Sequence, residues 1–140
     1  MNRSVTLYCP GTPAPQPRPR MTRTGRAYNP PTADDWKTAV RAEWKGCAES
    51  PMERAVIMRL EFVLARPKSH WTKSGDLSKS APLQHVSKPD VDNLAKSTCD
   101  ALENAGAFPG DAAVTGLTIT KRWAARCEIS GCRITLTERD

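Results

Sequence analysis

The segment Lys88-Pro-Asp-Val-Asp-Asn-Leu-Ala-Lys96 places two acids at the start of a predicted helix and a lysine one turn later. A third acid, Asp111, follows that helix in a turn that leads into a strand-like segment. Carboxylate oxygens are the ligands that Mg²⁺ prefers, and magnesium sites usually combine few carboxylates with phosphate oxygens. The pattern therefore suggests metal-assisted phosphodiester hydrolysis as a first hypothesis.

The helix is predicted from Val91 to about Ala105, and Gly106 supplies its C-terminal cap. Its apolar and small positions fall within an arc of about 100°. These positions are Val91, Leu94, Thr98, Ala101, Leu102 and Ala105. Asp92, Lys96 and Glu103 lie on the opposite side, with Asp100 at its edge. We therefore expect Asp92 and Lys96 to share a face that points away from the core.

A purely local interpretation of the same acids stays open. Asp90 suits an N-cap, Asp92 suits the first turn of a helix dipole, and Lys96 suits an ion pair with Asp92. Asp111 would then be an ordinary turn residue after Pro109-Gly110. Asp111 begins at the far end of the helix, so it approaches the other acids only if the next strand is aligned that way.

The remaining elements are predicted from hydrophobic spacing. Alternation indicates a strand over Arg3 to Tyr8, and a stronger one over Ala55 to Leu64 whose second face is only partly buried. A helix is expected to begin near Thr32 as its cap, with an apolar face formed by Trp36, Ala39, Val40, Trp44 and Cys47. Two final strands are predicted over Val114 to Trp123, with Leu117, Ile119 and Trp123 in phase, and over Arg133 to Glu138, with Ile134 and Leu136 inward.

The resulting order is β-α-β-α-β-β, which predicts an α/β fold with one small mixed sheet and two helices in a single layer pair. The length of 140 residues predicts one domain, residues 1–140. Two basic segments interrupt it: a Pro/Arg-rich segment over 9–31, expected as a mobile arm or an ordered strap, and a loop over 66–88 without periodicity. Trp71 in that loop is expected either to stack on an unpaired base or to fix the loop to the core.

The net charge of +6 is concentrated in these two segments. Residues 1–33 carry +5 and residues 66–88 carry +4, which leaves −3 for the rest of the chain. This distribution is typical of a protein that binds a polyanion, although basic segments also serve solubility alone. The candidate DNA-binding residues are Arg18, Arg20, Arg23, Arg26, Lys68, Lys73, Lys79 and Lys88.

The five cysteines argue against a disulfide framework or a structural zinc site, because their number is odd and no C-x-x-C pair occurs. Free thiols are the favoured interpretation, with Cys127 and Cys132 facing each other across a hairpin as the alternative. No apolar run approaches the length needed to span a membrane, and the N-terminus lacks the apolar core of a secretory signal. We therefore expect a cytosolic protein with no membrane partner.

The stretch from Lys88 to Gly106, followed by Asp111-Ala-Ala-Val114, resembles the RusA family of Holliday junction resolvases. The shared pattern is D-x-D-N-x-x-K, then D-A-L, a helix end of small residues and a downstream aspartate before a valine. The Pro/Arg-rich opening and the Lys68-Ser-His-Trp71 loop extend the likeness to phage-type members over most of the chain.

This resemblance implies a homodimeric α/β endonuclease, often encoded by phages or prophages and acting in the bacterial cytoplasm, that nicks four-way DNA junctions in pairs using Mg²⁺ or Mn²⁺. Asp90, Asp92 and Asp111 would be the metal-binding carboxylates, and Lys96 the basic catalytic residue. Many members carry two adjacent acids in the downstream turn, whereas Gly110 precedes Asp111 in this chain. The two rival functions are a junction-binding protein without nuclease activity and a flap or branch nuclease without junction specificity.

Overall fold

One four-stranded mixed sheet with two helices on one face forms the fold, in a computed structural model that describes residues 2–140. The strands of this sheet are β1 (Arg3–Pro10), β4 (Ala55–Leu64), β5 (Val114–Trp123) and β6 (Gly131–Arg139). A separate two-stranded ribbon consists of β2 (Arg20–Met21) and β3 (Ala27–Tyr28). The two helices are α1 (Asp34–Gly46) and α2 (Val91–Asn104). The sequence-based α/β class and element order are confirmed, with the small ribbon as an addition.

The strand order is β1-β6-β4-β5. Strand β6 is antiparallel to both of its neighbours, whereas β4 and β5 are parallel and are connected through α2. Since β6 lies between β1 and β4, the chain between β5 and β6 crosses to a different part of the sheet rather than forming a hairpin. The favoured prediction of free thiols is confirmed for all five cysteines, and the alternative in which Cys127 and Cys132 face each other is wrong, since Cys127 is exposed and Cys132 is buried in β6.

The core lies between the sheet and the two helices. Alternate residues of β4 point toward the helices and are almost fully buried: Val56, Met58, Leu60 and Phe62. Helix α1 contributes Trp36, Val40 and Trp44, as its apolar spacing predicts. Ile134 and Leu136 of β6 complete this layer as expected. The opposite face of β4 is only partly buried, as expected: Arg59 is exposed and Glu61 is half-buried, whereas Val63 is buried.

A buried hydrogen bond joins the two helices. The Trp36 indole Nε1 donates to Thr98 Oγ1 at 3.0 Å, and that hydroxyl donates in turn to the Leu94 carbonyl at 2.9 Å. Both side chains are almost completely buried, so water cannot replace the bond. This contact fixes the position of α2, which carries the predicted site residues.

Two sequence expectations are corrected, one about the start of α1 and one about the burial of a residue in β5. Thr32 does not cap α1, because Pro31 begins a 3-10 turn over Pro31–Ala33 and the helix starts after it, with Ala33 at the N-cap position. Leu117 is in phase with Ile119 but is 46% exposed, because β5 is an edge strand and Leu117 lines the open cavity between β5 and α2. Among residues 2–140, no helix has the length and hydropathy required to cross a membrane.

Candidate active site

Helix α2 is the platform of the candidate site. Leu94, Thr98, Ala101 and Leu102 are fully buried against the sheet and α1, as their spacing predicts. The helix ends in a left-handed Gly106 with φ of 85°, where the Gly106 and Ala107 amides donate to the carbonyls of Glu103 and Leu102. This is the hydrogen-bond pattern of a glycine cap. The opposite helix face is left to Asp92 and Lys96, both exposed.

A cavity of about 450 Å³ lies between α2 and the edge strand β5. Asp92, Lys96 and Asp111 all line it, so three of the four predicted catalytic residues share one space. The remaining wall is mainly apolar or small: Ala95, Cys99, Val114, Gly116, Leu117 and Ile119, with Thr115 and Asp100. The cavity is open to solvent.

Asp111 lies at the end of this cavity that is nearer the C-terminus of α2. One carboxylate oxygen from each of Asp100, Glu103 and Asp111 lies within 4.8 Å of the other two. Asp92 is eight residues before Asp100, which corresponds to about 12 Å along the helix axis. The structure therefore arranges the acids along the cavity, with Asp92 toward one end and the cluster of three at the other, while Lys96 lies between them, about one helical turn from both Asp92 and Asp100.

The three clustered carboxylates repel one another. The negative charge of Asp111 raises the pKa of Glu103, with desolvation and Asp100 as smaller causes. A cation at this position would relieve the repulsion, since carboxylate oxygens are suited to hard divalent ions. Cys99 in the same wall is not an available nucleophile, because burial and then the Asp111 charge raise the pKa of its thiol to about 11.

Asp90 is placed differently. It occupies the N-cap position of α2, but its side chain makes no capping hydrogen bond. It lines a second cleft, on the other side of the helix start, together with Lys88, Asn93, Arg18 and Arg20. The Asp92–Lys96 ion pair of the local interpretation does not occur among the salt bridges of residues 2–140. Asp92 Oδ1 instead accepts a hydrogen bond from the Asn93 amide at 2.9 Å.

The N-terminal basic segment is partly an ordered strap across α2. The Gln16 amide donates to the Asn93 carbonyl at 3.0 Å, and the buried Ser97 hydroxyl donates to the Ala14 carbonyl at 2.6 Å. Beyond this strap the ribbon β2–β3 is exposed along its whole length, including Arg23 and Arg26 at its turn. The segment thus brings Arg18 and Arg20 to the start of α2 and holds Arg23 and Arg26 outward.

The second basic segment, residues 66–88, is anchored on the end of β5. Trp123 contacts His85 at a ring-centroid distance of 4.0 Å, contacts His70 edge-on at 5.1 Å, and lies beneath the Arg66 guanidinium. Lys121 donates to the carbonyls of Ser87 at 2.7 Å and Pro89 at 2.9 Å. This loop is therefore fixed next to the entry of α2, while Lys68, Lys73 and Lys79 stay exposed to solvent.

Trp71, for which the sequence offers two interpretations, is not the anchor of that loop. It is half-buried and forms an isolated bridge with Leu77 inside the loop. The anchoring residue is Trp123 of β5, which sequence spacing identifies only as part of a strand face. His70 and His85, its ring partners, lie 53 and 38 residues away in sequence, so local patterns do not reveal the contact.

Sequence reasoning also missed Asp100 and Glu103 as partners of Asp111. Their helical spacing contained a signal, since Lys96, Asp100 and Glu103 follow one another at intervals of four and three on α2. The sequence does not show where the chain after α2 returns to the side of that helix. A short 3-10 turn over Asp111–Ala113 leads directly into β5 beside the C-terminal half of α2, which brings Asp111 to Glu103.

Comparison with known proteins agrees with these features. A protein-family model described as Endodeoxyribonuclease RusA matches residues 10–131, which includes the strap, both helices, the 66–88 loop and the start of β6. No curated protein matches the chain.

Proposed function

The chain belongs to the RusA family of endodeoxyribonucleases, and we propose that it resolves four-way (Holliday) DNA junctions by metal-dependent hydrolysis of a phosphodiester in each of two strands. The observation that carries the proposal is the cavity between α2 and β5, where Asp92, Asp111 and Lys96 line one space. Carboxylates together with a lysine are suited to a divalent cation beside a phosphate. The neighbouring basic segments supply the affinity for DNA.

A magnesium or manganese ion fits the cluster of Asp100, Glu103 and Asp111, whereas Asp92, about 12 Å from Asp100 along the helix axis, lies too far along the cavity to share that ion. Asp92 and Asp111 offer carboxylate oxygens to the cavity, and Asp100 and Glu103 add two more beside Asp111. Asp90 is retained as a third ligand on the family resemblance alone, because it lines the other cleft. When bound, such an ion lowers the pKa of a coordinated water and neutralises charge that develops on the phosphate.

Lys96 acts on the phosphate itself. Its side chain lines the cavity one helical turn after Asp92, so its ammonium faces the same substrate group. Among residues 2–140, Lys96 forms no salt bridge with Asp92, so its charge is not neutralised by that carboxylate. A fixed cation at this point stabilises the negative charge that builds up in the transition state. Asn93 has its backbone amide occupied by Asp92, and we assign it a supporting role at the helix start.

We further propose that two copies of the chain form the active resolvase. Strand β5 is an edge strand, and Leu117 on it is 46% exposed next to the cavity. An unpaired edge with an apolar side chain is the kind of surface that a second subunit covers. A two-fold dimer would present two cavities to strands of equal polarity, which accounts for paired cuts.

The proposal is tested with three substrates: a four-way junction, a splayed duplex and a linear duplex, each with and without Mg²⁺. We expect paired nicks in the junction alone and only with the metal. Binding without any cut would support the rival function of a junction-binding protein, and equal cutting of the splayed duplex would support a branch nuclease. Sedimentation of the free protein at several concentrations tests the dimer separately.

A further inference from the structure

The second cleft at the start of α2 carries a set of positive charges from separate parts of the chain. It has a volume of about 560 Å³. Arg18 comes from the end of the strap, Arg20 from β2 and Lys88 from the end of the 66–88 loop. Asp90 is the single carboxylate among the residues that line it, so three cations face one anion.

These three cations are not used by the fold. Within residues 2–140, no side-chain hydrogen bond or salt bridge of Arg18, Arg20 or Lys88 occurs, and all three side chains are exposed. Other basic residues of the chain differ in this respect. Arg122 makes a double hydrogen bond with Glu128, and Lys121 is held by two backbone carbonyls. The cleft therefore concentrates hydrogen-bond donors that have no side-chain partner among residues 2–140.

We propose that this cleft binds a backbone phosphate of the same DNA strand that is cut, one or a few nucleotides from the scissile position. The inference rests on the proposed function and names a substrate contact that the active-site cavity does not supply. Arginine and lysine are the side chains that bind phosphate oxygens most strongly, and arginine does so with two parallel hydrogen bonds.

The short separation between the cleft and the active-site cavity supports the binding of one DNA strand across both. Asp90 and Asn93 line the cleft, while Asp92 and Lys96 line the cavity, so only the first turns of α2 separate them. One turn corresponds to about 5.4 Å, and successive phosphates advance by about 3.4 Å along the axis of a duplex strand. A strand that crosses the start of α2 thus places neighbouring phosphates in the cleft and in the cavity.

The cleft also explains why the two basic segments are tied down where they are. The strap is held on α2 by the Gln16–Asn93 hydrogen bond, and the loop end is held on β5 by Lys121. Both contacts fix the backbone next to a cleft cation, Arg18 in one case and Lys88 in the other. Arg23 and Arg26 lie in the ribbon turn, where Thr22 holds the Arg26 backbone within the ribbon itself, and they do not line the cleft.

The test uses a four-way junction with one neutral methylphosphonate placed in turn at each position around the cut, and measures binding in EDTA so that nothing is cleaved. For the wild-type protein we expect one position near the cut where the neutral linkage weakens binding about 10-fold, the order expected for a charged hydrogen bond. The Arg18→Gln/Arg20→Gln/Lys88→Gln variant should bind more weakly and lose the sensitivity at that position, because the contact is already absent.

The matched control is Arg23→Gln/Arg26→Gln, which removes charge from the same segment outside the cleft. It should bind more weakly but keep the wild-type methylphosphonate profile. The cleft is refuted if the triple variant keeps that profile or if the control loses it. Failure of the wild-type protein to bind junctions would refute the proposed function and the cleft together, whereas binding and cutting with an unchanged triple-variant profile would refute the cleft alone.

Discussion

Replacing Thr98 by valine tests how α2 is held in place. The substitution keeps the side-chain shape and removes the acceptor of the Trp36 indole N–H, whose hydrogen bond measures 3.0 Å in a fully buried setting. The Leu94 carbonyl still accepts the main-chain hydrogen bond of α2, so the Trp36 N–H is the group that loses its partner. An unsatisfied buried donor costs about 1–3 kcal/mol of unfolding free energy.

The expected loss corresponds to a decrease in Tm of roughly 3–12 °C for a domain of this size. Urea unfolding monitored by circular dichroism measures the free energy, and a double-mutant cycle isolates the bond. In a Trp36→Phe background no indole N–H remains, so Thr98→Val should cost about 1–3 kcal/mol less than in the wild-type background. Equal costs in both backgrounds, within about 0.5 kcal/mol, would show that the hydrogen bond does not hold α2 to α1.

Three further changes test other parts of the structure. Hydrogen bonds from Arg122 hold the pKa of Glu128 at about 2. The stability that the Glu128 carboxylate contributes should therefore be present above the ordinary carboxyl pKa and be lost as pH falls from about 4.5 to about 2. Acid titrations of the unfolding free energy should not show this loss for Glu128→Gln. Gly131→Ala should cost several kcal/mol, since Gly131 has φ of 157° and a Cβ there would overlap a backbone carbonyl of β1; a Tm within 2 °C of wild type would contradict this. Burial and then the charge of Lys121 lower the pKa of His85, so the folded loop disfavours the protonated imidazole. Loop 66–88 should therefore lose protection from hydrogen exchange as pH falls below about 6.5. The substitution His85→Phe should remove this pH dependence.

The sequence predicts those parts of the fold that depend on local periodicity. The alternation of Val56, Met58, Leu60 and Phe62 identifies β4 with its observed bounds, and the three- and four-residue spacing of α2 identifies its buried face. These predictions succeed because burial of one face produces a pattern within a single element. The position of β6 between β1 and β4 leaves no such pattern, and the alternative in which Cys127 and Cys132 face each other across a hairpin fails for that reason.

The candidate site shows the same division. Sequence spacing places Asp92 and Lys96 on the free face of α2, and the structure finds them in one cavity with Asp111. Sequence spacing does not reveal that Asp111 lies close to Asp100 and Glu103, because that proximity depends on where β5 begins beside the helix. The long-range contacts of the 66–88 loop with the end of β5 are hidden for the same physical reason.

The most direct test of the proposed activity is the rate at which Asp92→Asn cleaves a four-way junction with Mg²⁺, compared with the wild-type protein at equal junction occupancy. The substitution keeps the size of the side chain and removes one negative charge from the cavity between α2 and β5. We predict that the variant still binds the junction and that its cleavage rate falls at least about 100-fold, the order seen when one stabilising group of an active site is removed. Cleavage at the wild-type rate would contradict the assignment of this cavity as the catalytic site.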